Sequence, residues 1–135
     1  MALMPWNDEL ALGLGKIDEQ HRVLVDAINA LGEAAAGASP DRKAIGDLLD
    51  GLADSTMNHF ILEEDLLKRH TYPQISAHQE DQNSLTAHIM DLLDKFQAGK
   101  AEVGKDTLSQ LKDRLTHHIR VVDKPCVAFL KSKGE

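Results

Sequence analysis

The sequence predicts an all-α chain: an up-down-up-down antiparallel four-helix bundle with an N-terminal arm and a short C-terminal tail helix. Three observations predict it. Apolar residues recur at intervals of three and four in four separate stretches. The breaks between those stretches are short, which makes neighbouring helices antiparallel. The composition is 42% hydrophobic but only 4% aromatic, with 27% charged residues, and aromatic-poor chains rich in Ala, Leu, Asp and Lys suit helices better than sheets. The 135 residues suffice for one domain with a real core and are too few for two.

The arm, residues 1–15, holds Pro5, Trp6 and two glycines without helical period, and Trp6 is expected to pack on the body. The first helix, about 16–37, carries Ile17, His21, Leu24, Ile28 and Leu31 on one face, and fades in "GEAAAGASPD". Ser39 is placed to cap the second helix, about 40–70, with Pro40 at its first position. Its stripe is Ile45, Leu49, Leu52, Thr56, His59, Glu63 and Leu66, and Tyr72-Pro73 interrupts it. The third helix, about 74–98, runs through Ile75, His78, Gln82, Leu85, Ile89, Leu92 and Phe96 to the break "QAGKAEVGKD". The fourth, about 104–123, presents Leu108, Leu111, Leu115, His118 and Val122 and is expected to end near Pro125. In the tail, 124–135, Val127 to Leu130 reads as a short last helix, and residues 1–135 form a single domain.

Charge and cysteine content narrow the function. A formal net charge of −7 argues against nucleic acid or an anionic membrane surface as partner, and favours a monomer. No apolar run approaches membrane-spanning length. The opening "MALMPWNDEL" turns acidic at once and lacks the regions of a secretory leader. One cysteine, Cys126, cannot pair internally, so a reducing cytoplasm is the simple expectation.

The informative residues are polar ones in the middle of each apolar stripe. His21, His59, His78 and His118 fall on the core faces, one per helix, and Glu63 lies one turn after His59. A lone buried histidine is usually a hydrogen-bonded core residue. Four of them with a carboxylate need a common reason, because an unpaired buried carboxylate is costly. A metal centre supplies that reason: imidazole with carboxylate suits iron, zinc or manganese, and bundle interiors host carboxylate-bridged di-iron sites. Cys126 stands off these positions, which leaves thiolate and iron–sulfur chemistry aside. Asp123 follows His118 by five residues, about 140° off the same face of an ideal helix. It reads either as a solvated aspartate or, if a π-bulge or a loosened last turn intervenes, as a further ligand. His70, His88 and His117 fit an ordinary surface role. His88 is about 15 Å along the axis from His78, so it does not replace a ligand there.

The stretches "PWNDELALGLGKIDEQHRVLVDAINAL", "HFILEED" with "YP" shortly after, "HIRVVD" and the late "FL" together resemble the bacterial hemerythrins, non-heme di-iron proteins that bind dioxygen. They span residues 5 to 130 in the family's order. The resemblance implies that one iron takes His21 and His59. The other takes His78 and His118, plus a third histidine where this chain has Gln82. Glu63 and Asp123 would bridge the two irons together with an oxo or hydroxo group. Dioxygen, or another small diatomic ligand, would bind at the two-histidine iron, which has an open position.

Gln82 departs from that pattern at a ligand position. Its amide oxygen binds the iron, or a water takes the place, or the second metal is lost. In each case binding at the His78/His118 metal is weaker, because an amide oxygen is a poorer donor to iron than imidazole. The leading functional reading is a dioxygen-binding protein for storage, delivery or sensing, working alone or with a separate protein partner. The alternative is a di-iron enzyme that reduces or detoxifies oxygen, peroxide or nitric oxide. Gln82 favours it through faster autoxidation, but no other general acid or base lies on the stripes. A third reading is a metal-stabilised bundle that acts through partners.

Overall fold

The computed structural model describes residues 3–37 and 41–135, and among these it is entirely helical. Four long helices, α1 (Gly15–Ala35), α2 (Arg42–Arg69), α3 (Ile75–Gln97) and α4 (Lys105–His117), make the bundle. The chain then passes through one π-helical turn (His118–Asp123) into a short helix, α5 (Lys124–Ser132).

The stripes read from the sequence are the buried faces, except that Ile75, at the mouth of α3, is only half-buried. Ser39 and Pro40 lie outside the described residues. The cap of α2 is Asp41, whose side chain accepts from the backbone N–H groups of Lys43 and Ala44. Thr71, at φ 54°, and Tyr72, whose N–H bonds back to the Leu67 carbonyl, close the same helix. Near Pro125, where the fourth helix is expected to end, the π turn gives way to α5. Pro125 sits in the first turn of α5, where a missing N–H breaks no helical bond, so the chain continues to Ser132.

The arm is fixed by two devices. Asn29 of α1 exchanges hydrogen bonds with both backbone groups of Met4, at 2.7 and 2.9 Å. Asp18 accepts from the N–H groups of Leu12 and Gly13 at 2.8 and 3.0 Å. Gly13 has φ 93°, a conformation that costs any side-chain-bearing residue. Trp6 is half-buried, with the Arg22 guanidinium 4.9 Å over its ring.

The apolar interior is divided in two. The larger cluster includes Leu24, Ile28, Leu49, Leu52, Ile89 and Leu111. The smaller one joins Leu14 and Ile17 to Leu66, Leu67, Val127 and Leu130, so α5 closes that end of the bundle. Along each helix the switch between clusters falls at the polar residues: Ile17 and Leu24 flank His21, and Phe60 and Leu66 flank Glu63. The bundle thus holds a polar belt between two dry layers.

Candidate metal centre

Each helix delivers its polar residue by ordinary helical spacing, with one exception. His59 and Glu63 leave α2 from one face, four residues apart, and His59 Nε2 lies 2.6 Å from Glu63 Oε1. The exception is Asp123. An α-helix would turn it away from His118, but a turn that closes i to i+5 brings five residues back to the same side. The π turn does this, and Asp123 is 0% exposed. The solvated reading of Asp123 is therefore wrong, and the widened turn is the physical reason.

Around the centre the ring nitrogens converge. His21 Nε2 and His118 Nε2 lie 2.7 and 2.8 Å from Asp123 Oδ2. His59 Nε2 lies 3.1 Å from the same oxygen, 3.1 Å from His21 Nε2 and 3.0 Å from His118 Nε2. His78 approaches the far side of both carboxylates, with Nε2 3.1 Å from Asp123 Oδ1 and 3.5 Å from Glu63 Oε2. Each carboxylate therefore turns one oxygen to His78 and the other to His59 and His118. A carboxylate that straddles two groups of nitrogens is arranged to bridge two cations.

This donor set fits a metal pair on its own terms. Two imidazole nitrogens 3.0 Å apart share at most one proton, and His59 Nε2 meets two such neighbours as well as two carboxylates. His59 Nδ1 already donates to Gln20 Oε1 at 2.8 Å, which turns the lone pair of Nε2 inward. Among the described residues neither oxygen of Glu63 finds a properly oriented hydrogen bond, although both are buried. Lone pairs outnumber the protons able to satisfy them, and cations resolve the excess.

The electrostatics point the same way. Burial pulls the pKa of His21 down. Burial also opposes charge on His59, but Glu63 and Asp123 outweigh it and its pKa is raised. His78, despite burial, is pushed up to about 12 through Asp123, Cys126 and Glu63, and His118 to about 10 through Asp123 and Glu63. Against a burial penalty, His118, a hydrogen bond with Glu63, and His21 hold Asp123 well below its ordinary value. The cavity carries a strong negative field that welcomes positive charge.

Gln82 lies one turn beyond His78 on the same buried face. It is 4% exposed, and its amide nitrogen has no hydrogen-bond partner among the described residues. Two contributors escape sequence reasoning. Gln20 lies beside the α1 stripe rather than on it, and nothing in its spacing singles it out. Cys126, expected to stand off the site, is buried within ligand range of His78 and Asp123. It follows Asp123 by three residues, and the rotation that turns Asp123 inward carries Cys126 with it. His70 bonds to Glu135 at 2.9 Å and His117 is exposed. His88 is half-buried on the wall of an open groove, and its Nε2 has no partner among the described residues. None of the three enters the cluster. A groove of about 640 Å³ between α3 and α4 is lined by His88, His117, Leu85 and Val122, and reaches His118.

Comparison with known proteins gives a consistent picture. A family model described as the hemerythrin HHE cation binding domain matches residues 12–127. The chain is similar to a bacteriohemerythrin of Methylococcus capsulatus, 38% identical over 132 residues, covering 95% of this chain and 99% of that one. It is 34% identical to a bacteriohemerythrin of Stenotrophomonas maltophilia, over 92% of this chain and 79% of that one. A crystal structure of wild-type hemerythrin superposes with a TM-score of 0.86 at 37% identity, covering 94% of this chain and 99% of the other.

Proposed function

The chain belongs to the hemerythrin family and is a di-iron, oxygen-binding protein, and from that premise we propose how its own residues hold the metals. His21 and His59 serve one iron, His78 and His118 the other, and Glu63 and Asp123 bridge them. Gln82 occupies the position of a third histidine on the second iron. The observation that carries the metal pair is the convergence of four buried imidazole nitrogens on two straddling carboxylates. The division of the histidines between the irons follows the family resemblance, since His118 stands with His21 and His59 on one side of the carboxylates and His78 on the other. Bound iron supplies the electrons and the open coordination position that hold dioxygen reversibly.

The protein's residues set the conditions for that chemistry. Gln20 fixes the ring of His59 through Nδ1. The π turn keeps Asp123 facing inward. The apolar layers shield the belt along the bundle axis, while the groove between α3 and α4 reaches His118 from the side. Gln82 is a weaker donor than imidazole, so a metal held by His78 and His118 would be bound less tightly there and leave that position open to exchange.

The test is to load the full chain with iron, reduce it without oxygen, admit air and record the visible spectrum. A charge-transfer band that fades when oxygen is removed is expected. Direct conversion to a stable oxidised spectrum would overturn reversible binding, and one metal per chain would overturn the paired assignment. Among the described residues no helix is long and apolar enough to cross a membrane. Cytoplasmic residence, a monomeric state and a separate protein partner for delivery or sensing complete the reading. The −7 charge supports the absence of a nucleic-acid partner.

A further inference from the structure

Two departures flank His78, one toward each apolar layer. On α3, Gln82 stands one turn from His78 where an imidazole would bind. On α5, the thiol of Cys126 is buried beside His78, and ligand atoms of His78, Asp123 and Cys126 all lie within 4.8 Å of one another. Atoms held about 2.0 and 2.3 Å from one metal, as nitrogen and sulfur are, stand at most about 4.3 Å apart. The cluster therefore needs only a small adjustment to enclose an ion. The cysteine does not stand alone. His78 Nδ1 has no partner among the described residues, in a residue only 4% exposed. Cys126 Sγ donates weakly to the Val122 carbonyl of the π turn at 3.3 Å, and the thiol lies close enough to His78 to raise its pKa.

We propose that Cys126 supplies a sulfur ligand to the metal held by His78, a metal left one imidazole short by Gln82. The inference rests on the ligand assignment proposed above. On coordination the S–H bond gives way to a sulfur–metal bond, and the proton leaves to solvent with no change of oxidation state. A soft anionic donor then joins this metal. It makes this metal harder to reduce than its neighbour, and the two halves of the site become chemically distinct.

Cobalt(II) is the probe, because a thiolate ligand gives it an intense near-ultraviolet charge-transfer band that nitrogen and oxygen ligands do not. The full chain loaded with cobalt should show the band. Cys126→Ser should lose it and bind its second metal at least about tenfold more weakly, the lower end of what losing a mere supporting residue costs. Gln82→His should weaken the band by restoring the competing imidazole. If Cys126→Ser fails to fold, Cys126→Ala and the spectrum of the parent chain decide the matter. Two metals per chain without the band would overturn the sulfur ligand alone. One metal with the band would overturn the paired assignment and leave the sulfur ligand standing. One metal without it would overturn both.

Discussion

The hold on the second metal depends in part on one amide side chain. Gln82 offers a neutral amide where imidazole binds iron better, so Gln82→His is expected to slow metal loss to a chelator by about 10-fold or more, and to slow autoxidation. An unchanged autoxidation rate would mean that Gln82 does not control reactivity. Gln20 acts one bond further out. Its oxygen accepts from His59 Nδ1 and fixes which nitrogen faces the metals. Gln20→Ala should weaken metal binding by about 10- to 100-fold while circular dichroism of the metal-free chain stays the same. These residues also mark the limit of what sequence reveals. His21, His59, Glu63, His78 and His118 were legible because each sits on an apolar stripe, where a polar residue needs a reason. Gln20 sits off the stripe and is recognisable only by its partner. Cys126 was misplaced because its orientation depends on the backbone before it.

That backbone is the π turn, where sequence periodicity and structure part company. A regular helix read through residues 104–123 keeps Leu108, Leu111, Leu115 and His118 in phase, so those positions came out correctly. Beyond His118 the phase slips by one residue, and no pattern of side chains announces a slip. A π turn is in effect one residue inserted into an α-helix. Deleting Val121, which is 58% exposed and fills no core, should let the helix close normally and return Asp123 to the inner face four residues after His118. The metal-free chain should then melt at the same temperature or higher, while metal affinity falls because Asp123 meets its partners from a shifted height. Lower melting with intact metal binding would make the turn a packing device instead. The start of α2 offers a simpler check on how local rules act. Asp41→Ala removes the acceptor of two backbone N–H groups and should cost about 1 kcal/mol in a denaturation experiment.

Across the whole molecule, the two dry layers came from stripes that sequence shows plainly, and the belt between them creates the protein's chief energetic problem. Two carboxylates and four imidazoles are taken out of water together. In the metal-free chain protons carry part of the balancing charge: His78, with its pKa near 12, and His118, near 10, are both protonated at neutral pH. Cations must displace those protons, so loading in weak buffer should acidify the solution, and affinity should rise with pH. The same protons govern stability. A histidine whose pKa is raised in the folded chain stabilises it fully below the unfolded value of 6.5, and that contribution is lost as pH rises through the folded value. The metal-free chain should therefore lose stability between pH 6.5 and about 10, before His78 releases its proton near 12. The loaded chain has already given up both protons and escapes this loss. Its margin in melting temperature over the metal-free chain should widen across that interval, as scanning calorimetry of both forms at several pH values would record. A constant margin would mean that His78 and His118 are neutral in the metal-free fold, and that something other than these protons balances the buried carboxylates.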